Sequence, residues 1–499
     1  AFLYAAILVF NVTLTLPGFA GMILTLGVAA DANIVIFERV KEEYRAGKSV
    51  RAAIAAGYGK GFATIIDANV VTAITAMVLF LVATAGVKGF ALMLLIGTLI
   101  SLLTAVAATR AILGLLGGFK WFDNPRLMGA EGEPPAWIRR DFIGLRNRWF
   151  AISGAVLLLS LGALGWNGLN LGIDFEGGTK VTFTTPQPVA LEDVRSEAAN
   201  LGEGNAQILG RGAASGGDRY REFQIQTEEL QTAEQTELTR ALGRAFDADS
   251  SVQTVSASFG RQIAEGAILA TLVSLLLVSI YIAFRFQPKF AGPVMVSLLH
   301  DVLITVGIYA LLGREVTTAT VAAVLTVLGY SIYDTIIILD RVRENIPLMK
   351  RASFRTLANV SLWETIPRSL ATTFITLLPI STLYFFGGET LKDFAFALLV
   401  GIGAGAYSSI FIAAPLVAML KEREPEYARR RDDTELRDAS AVGRLFDEAE
   451  SLAAAEPTPE LIPVATPGDD EPQAPRTSND AKRERRRQRR KSRPHGRAR

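Results

Sequence analysis

Long uninterrupted apolar blocks limit what this chain can become more than any other feature. The windows 63–84, 90–116, 150–166, 264–284, 291–312, 317–339, 369–386 and 394–420 are each about 17 to 27 residues of mostly apolar sequence, enough to cross a hydrocarbon core. The stretch from Pro17 to Phe37 supplies a further span. The chain is therefore expected to be a polytopic α-helical membrane protein. Residues 1–16 are apolar but carry no signal-peptide n-region, initiator Met or cleavage site, so the chain is expected to begin inside a helix, with upstream sequence missing. Composition narrows the chemistry. There is no cysteine, and the two histidines are His300 and His495, which excludes disulfides, thiol chemistry and Cys-ligated haem and is too few ligands for a zinc site. Neither a redox nor a metal enzyme is expected, and no cofactor.

Basic residues beside short loops set the orientation, because they stay on the cytoplasmic side. The segments 38–60, 120–148, 285–289 and 341–355 are basic and fall on alternate sides of successive spans, which puts all four in the cytoplasm. The turns 85–89, 313–318 and 387–393 carry few positive charges and fall outside, with one large exterior loop, 170–258. In that loop, strand-like "KVTFTT" (180–185), "NAQILGR" (205–211), "REFQIQT" (221–227) and "SVQTVSAS" (251–258) interleave with helical 191–201 and 232–246. The order is βαββαβ, a small ferredoxin-like α+β domain of roughly 80 residues. The segment from 421 to 499 lacks periodicity, is Pro-rich and ends "AKRERRRQRRKSRPHGRAR". It is expected to be a disordered cytoplasmic tail. Its basic end either touches anionic lipid or RNA or is a solvated topology anchor.

The chain also repeats itself. "TLGVAADANIVIFERVKEE" (25–43) matches "VLGYSIYDTIIILDRVREN" (327–345) without a gap, and "KGFALMLLIG" (88–97) matches "KDFAFALLVG" (392–401) after a two-residue slip. Two homologous membrane halves follow, with functional sites expected at their interface near the membrane midplane. In this register Asp31 falls on Tyr333 and Asp334 falls on Ala32, so the two carboxylates would point about 100° apart on their own helices. Arg39 and Arg341 mark the cytoplasmic ends of these spans, which puts both aspartates roughly 10 to 12 Å inside. An intramembrane carboxylate costs about 2.5 to 3.5 kcal/mol unless it is protonated, paired or wet. Asp31 could cap a helix break or bond a neighbouring span, but its duplication favours an ion or proton path.

Arg368, in "ETIPRSLATTF", is read either as a snorkelling interfacial arginine or as the fixed cation that keeps a nearby aspartate ionised. Its counterpart in the first half is taken to be the neighbourhood of Ile66 and Asp67, another carboxylate inside a span. His300 and Asp301, in "SLLHDVLITVG", are a third polar pair at depth.

These residues carry a resemblance. "LPGFAGMILTLGVAADANIVIFERVKEE" (16–43) resembles the fourth transmembrane segment of SecD, whereas "GIDFEGGT" (172–179), "LLHDVLITVG" (298–307) and "LGYSIYDTIIILDRVREN" (328–345) resemble SecF. Their order is similar to that of the fused SecDF membrane proteins of the RND superfamily, over about residues 1–420. The resemblance implies two pseudo-symmetric RND-type helical halves: a SecD-like region 1–116, a cytoplasmic connector 117–148, a first SecF-like span 149–169, the exterior domain 170–258, a SecF-like bundle 259–420 and the tail 421–499. It also implies an accessory component of the Sec machinery in the bacterial cytoplasmic (inner) membrane, with the proton-motive force promoting preprotein export. The implied partners are the translocon channel (SecY, SecE, SecG), a YajC-like subunit, the unfolded preprotein outside and membrane lipid. Asp31, Asp334 and Arg368 match the family's intramembrane proton-pathway positions. H⁺ is the coupling ion expected, with Na⁺ open. Gly172, Asp174, Gly177 and Gly178 are its structural signature, where the double glycine permits a tight backbone approach at the first strand. Two features depart from the pattern. The first SecD helix and its large exterior domain are absent, and Ala30-Asp31 stands where the family usually has Val-Asp. An RND-type exporter of small molecules or lipids and a non-transporting translocon scaffold are the competing readings; an exporter would normally carry two large exterior domains.

Overall fold

The computed structural model describes residues 2–9, 15–83, 85–126, 128–130, 137–211, 217–286, 288–350 and 352–429. In chain order the first half holds α1 (Phe2–Val9), α2 (Leu16–Arg45), α3 (Val50–Val82) and α4 (Ala85–Leu103), which runs through a π-helical stretch Thr104–Thr109 into α5 (Arg110–Leu116). After the connector come α6 (Arg146–Asn167), β1 (Asn170–Leu171), α7 (Ile173–Glu176), β2 (Gly178–Ala190), α8 (Leu191–Asn200), β3 (Gln207–Arg211), β4 (Arg219–Thr227), α9 (Thr232–Phe246) and β5 (Asp249–Val255). The second half holds α10 (Ala257–Arg285), α11 (Pro288–Leu312), β6 (Glu315–Val316), α12 (Thr318–Leu348), α13 (Phe354–Phe386) and α14 (Glu389–Ser408), whose π-helical continuation Ser409–Ala413 leads into α15 (Ala414–Lys421) and α16 (Pro425–Ala428). Among the described residues, nine helices are long and apolar enough to cross a membrane, in agreement with the nine apolar stretches. The protein is a polytopic α-helical membrane protein.

The helices run further than the hydropathy blocks. Most of 38–60 and 341–355, expected as loops, is helical: α2 continues to Arg45, α3 begins at Val50, α12 continues to Leu348 and α13 begins at Phe354. Charged residues keep these ends helical because they find partners there. Arg39 Nη2 pairs with Glu344 at 2.8 Å and Arg341 Nη1 pairs with Glu42 at 3.4 Å, while Arg39–Glu42 and Arg341–Glu344 close at 3.0 Å each. Arg341 Nε adds Glu364 at 2.5 Å. The two long bonds are the same contact made twice, since Arg39 matches Arg341 and Glu42 matches Glu344 in the repeat register. The arginines are thus an interhalf clasp as well as markers of the basic ends.

Packing shows the same pseudo-two-fold relation. Helix α2 lies on α13 and α12 lies on α3. A Cβ on Gly27 would meet Thr376 Cα at 3.5 Å, and one on Gly329 would meet Thr72 Cα at 3.5 Å; each glycine lets the other half's helix approach. Within the halves, Gly97 faces Thr25 and Gly401 faces Val327 in matching places. Both α3 and α13 start from a serine N-cap, Ser49 and Ser353, which fixes their alignment. The two-residue slip therefore falls in the turn before α3, and the counterpart of Arg368 is Thr64, not the neighbourhood of Ile66 and Asp67.

The segment 170–258 folds into the expected sheet domain. Strands β2 to β5 and helices α8 and α9 give βαββαβ, in an antiparallel sheet of order β3-β4-β2-β5. Strand β2 is longer than expected, starting at Gly178 and breaking register between Thr184 and Val189, where Pro186 and Pro188 cannot donate to the ladder. One sheet face packs Val181, Phe183, Phe223 and Ile225 against Val194, Leu238 and Leu242 of the helices. The other face is polar and lies on the membrane bundle. A parallel two-stranded pair, β1 with β6, stitches the root of the domain to the turn between α11 and α12; strands of two residues carry too little periodicity to be read from sequence.

Order persists past the expected start of the tail. Lys421 and Tyr427 are buried, and Tyr427 packs edge-on against Phe354 with ring centroids 5.0 Å apart. Residues 430–499, with His495 and the basic end, lie outside the described residues.

The glycine contacts give a stability test. An alanine Cβ at Gly97 would come within 2.6 Å of Thr25 Cβ, and one at Gly401 within 2.7 Å of Val327 Cγ1, whereas Gly403 has open space. Gly97→Ala and Gly401→Ala are expected to cost about 1–3 kcal/mol by overpacking and to lower the thermal midpoint. Gly403→Ala should leave it unchanged or raise it by the helix-propensity gain of up to about 1 kcal/mol.

Candidate functional site

Asp31 on α2, Asp334 on α12 and Arg368 on α13 meet at the contact between the halves. Asp31 and Arg368 are 7% and 6% exposed, and Arg368 lies within electrostatic reach of both aspartates, which also feel each other. Tyr333 turns its hydroxyl toward Asp31, Tyr330 lies close by, and Ser369, next to Arg368, faces Asp334. The one-residue offset in the repeat explains this division. Tyr333 occupies the repeat position of Asp31 and reaches across to it, while Asp334, one residue on, turns toward α13.

The pseudo-symmetry is broken at the cation. Thr64 stands where the other half has Arg368, and its hydroxyl donates to Asp340 at 3.0 Å. One guanidinium thus lies within electrostatic reach of two carboxylates from opposite halves. The polar atoms here are also poorly satisfied. Of eleven buried side-chain N and O atoms without a hydrogen-bond partner among the described residues, six gather at this point: Asp31 Oδ1, the Tyr330 and Tyr333 hydroxyls, Arg368 Nε and Nη2, and Ser369 Oγ. Ionisable and hydroxyl groups are thus concentrated at one depth of the bundle, and an ionisable residue inside a span is costly and marks a functional place by default.

The other polar candidates are engaged elsewhere. Asp67 takes hydrogen bonds from Tyr281 (3.0 Å) and Arg285 Nε (2.8 Å) on α10 and pairs with Arg285 Nη2 at 2.6 Å. Asp301, fully buried on α11, meets His300 Nδ1 at 2.9 Å and accepts from Ser408 at 2.8 Å and from Ser331 of α12. His300 Nε2 has no partner among the described residues. Ser331 is three residues before Asp334 and so adjoins it on the surface of α12, which places the Asp301 cluster next to the Arg368 site along one helix. The π-helical turn of α14 joins that second cluster, as Ser409 meets Thr335 at 2.7 Å; π-turns often mark functional places in helices.

The glycine-rich signature lies at the root of the sheet domain. Gly172 precedes α7, and Asp174 Oδ2 accepts from the backbone N–H (3.0 Å) and hydroxyl (2.9 Å) of Thr318, the first residue of α12. Gly177 and Gly178 have φ of +80° and +116°, and a Cβ on Gly177 would stand 2.5 Å from Ala257 Cα. This is the tight approach the double glycine permits. Tyr330, Tyr333, Ser369, Ser331 and Ser408 were not singled out in the sequence; for Tyr333 the available signal was its place opposite Asp31 in the repeat.

Residues 235–423 match the model described as protein export membrane protein SecD/SecF, C-terminal, residues 163–189 match the SecD/SecF GG motif, and residues 1–157 match the MMPL family. The chain is 36% identical to the protein translocase subunit SecDF of Bacillus subtilis over 432 residues, 83% of this chain and 58% of that protein. It is 38% identical to the protein translocase subunit SecF of Alicyclobacillus acidocaldarius over 301 residues, 59% of this chain and 97% of that one. The crystal structure of SecDF from Thermus thermophilus, a translocon-associated membrane protein, superposes with a TM-score of 0.77 at 36% identity, covering 84% of this chain and 57% of that one. The chain thus spans little more than half the length of the fused SecDF relatives it matches. With its repeat, its sheet domain and its glycine signature all accounted for by these matches, the chain belongs to the SecD/SecF family of protein-export membrane proteins.

Proposed function

We propose that this chain is part of an accessory component of the Sec protein-translocation machinery that uses the proton-motive force to promote preprotein export across the bacterial cytoplasmic membrane. The observation that carries the reading is the sharing of Arg368 by Asp31 and Asp334 from opposite halves. A carboxylate loses its pairing energy with a guanidinium when it takes a proton. Protonation of either aspartate from the exterior therefore loosens that half's hold on Arg368, α2 and α12 repack against α13, and deprotonation toward the cytoplasm restores the pairing. One proton moving down 100 mV supplies about 2.3 kcal/mol, so a stroke draws on a few protons or works against a small load.

The positive-inside distribution supports an orientation with the clasp of Arg39 and Arg341 in the cytoplasm, the sheet domain outside and residues 421–499 on the cytoplasmic side. The relatives' designation as translocase subunits supports a partner in the translocon, for which the SecY, SecE and SecG channel and a YajC-like subunit are the proposed contacts, and an unfolded preprotein on the exterior face as the load. The gathering of two carboxylates and a guanidinium inside the spans favours a working site over a static scaffold, because ionisable residues at that depth are costly to keep.

Two predictions follow from the shared cation. Asp31→Asn and Asp334→Asn should each abolish the gradient-dependent part of preprotein export in energised membrane vesicles while leaving the complex assembled. Asp67→Asn, which alters only the pair with Arg285 and Tyr281, should retain that part; equal loss in all three variants would contradict a site centred on Arg368. In vesicles given either an imposed pH gradient or an imposed sodium gradient, export should respond to the pH gradient. A response to sodium alone would overturn the proton assignment.

A further inference from the structure

Glu315 is a buried acid at a place where the sequence suggests only a turn. It lies in β6, two residues before the threonine that caps α12, and is 4% exposed. Its carboxylate accepts from the polar face of the sheet domain through three strands: Lys180 of β2 at 3.1 Å, Arg211 of β3 at 2.9 Å, and Gln224 and Gln226 of β4 at 2.8 Å each. The ferredoxin-like sheet thus lays its helix-free face on one side chain of the membrane bundle.

We propose that Glu315 is the positioning residue that makes the exterior sheet domain move as one body with α12, the helix that carries Asp334. The covalent links from domain to bundle, α6 and α10, would let the domain swing, since each is a single helix entering its root. Glu315 adds a joint outside the chain path, and it sits at the start of α12 itself. Asp174 makes a second point of attachment by accepting from Thr318 at the N-terminus of α12, where a carboxylate is also favoured by the helix dipole. Gly172 has no side chain because a Cβ there would stand 2.5 Å from Glu315 Oε1. The surroundings are charged on every side: Arg211 also lies 3.9 Å from Asp393 of α14, and Asp393 pairs with Arg314 at 2.7 Å.

A joint made of charge is a poor way to gain stability, because well-packed apolar groups of the same volume do as well or better. It is a good way to fix one relative orientation, since four donors must converge on two oxygens. Losing the carboxylate would leave Lys180 and Arg211 facing each other without their common counter-charge. Under the proton-driven reading above, on which the functional half of this inference rests, a movement of α12 at Asp334 arrives outside as a movement of the domain.

Burial pushes the Glu315 carboxyl up, but Lys180, Gln224 and Arg211 outweigh it and hold it below the usual glutamate value. A group whose value is depressed in the docked state contributes fully above its ordinary value and stops contributing as pH falls through the depressed one. The joint should therefore be closed at neutral pH and open in acid.

The chain has no cysteine, so spin labels can be placed without background. With nitroxides at Glu237→Cys on α9 and Lys88→Cys at the start of α4, both exposed, the protein in lipid nanodiscs should show one narrow interspin distance at neutral pH that broadens on acidification. Glu315→Gln should be broad at every pH, and Lys180→Met with Arg211→Met should broaden it independently. A control pair within the bundle, Lys88→Cys with Gly388→Cys, should stay narrow and so report an intact fold. In the export assay Glu315→Ala should lose the gradient-dependent part, and joining Lys180→Cys to Glu315→Cys with a short bis-maleimide should restore it. A distance that stays narrow in both charge-removal variants, or gradient-dependent export that survives Glu315→Ala, overturns the inference. If Asp31→Asn leaves gradient-dependent export intact, the proton reading fails by itself and the spin-label result still decides the joint.

Discussion

A single guanidinium within electrostatic reach of two carboxylates inside the spans is the interaction on which the rest of this structure turns. Arg368 acts electrostatically on both Asp31 and Asp334, and the two aspartates come from different halves of a duplicated bundle. Everything that lets them meet is a consequence of that duplication. Glycines at matching positions, Gly27 and Gly329, bring each half's central helix against the other half, and the reciprocal pairs of Arg39 with Glu344 and Arg341 with Glu42 hold the basic ends together. The scaffold is duplicated, while the arginine is not: Thr64 stands at its place in the first half.

Helix α12 is where these features converge. It carries Tyr330, Tyr333 and Asp334 toward Asp31 and Arg368, and Ser331 and Thr335 toward Asp301 and Ser409. Its basic end joins the clasp through Arg341 and Glu344, and its other end is held by Asp174 and by the strand that bears Glu315. Helix α12 thus has polar attachments at both ends and in the middle, as the proposed proton-driven stroke requires, since packed interfaces shift between discrete arrangements instead of deforming gradually.

Much of this is legible in the sequence, and the limits of legibility are physical. Hydropathy gives the nine spans because a hydrocarbon core permits little else, and period-two alternation gives the strands of the sheet domain. The repeat gives the two halves and points to Asp31 and Asp334. Helix ends are less legible: charged stretches such as 38–60 look like loops until their partners on other helices are known. The true partner of Asp67, Arg285, is more than two hundred residues away, and sequence spacing predicts pairs only within a helix. Glu315 sits in a short polar turn, and nothing local distinguishes it from a solvated acid until the sheet is laid over it. The assignment of Thr64 as the counterpart of Arg368 depends on where the two-residue slip falls, which the matching caps Ser49 and Ser353 settle.

The central claim is that Asp31 and Asp334 titrate as one system through Arg368. Difference infrared spectroscopy of the protein in bilayers, taken across a pH series, reads carboxyl protonation directly. The wild-type protein should show carboxylic-acid bands assignable by their loss in Asp31→Asn and in Asp334→Asn, each single variant should move the titration of the aspartate that remains, and Arg368→Ala should displace both. If the two bands titrate independently of one another and Arg368→Ala leaves either unmoved, the shared-cation site is contradicted.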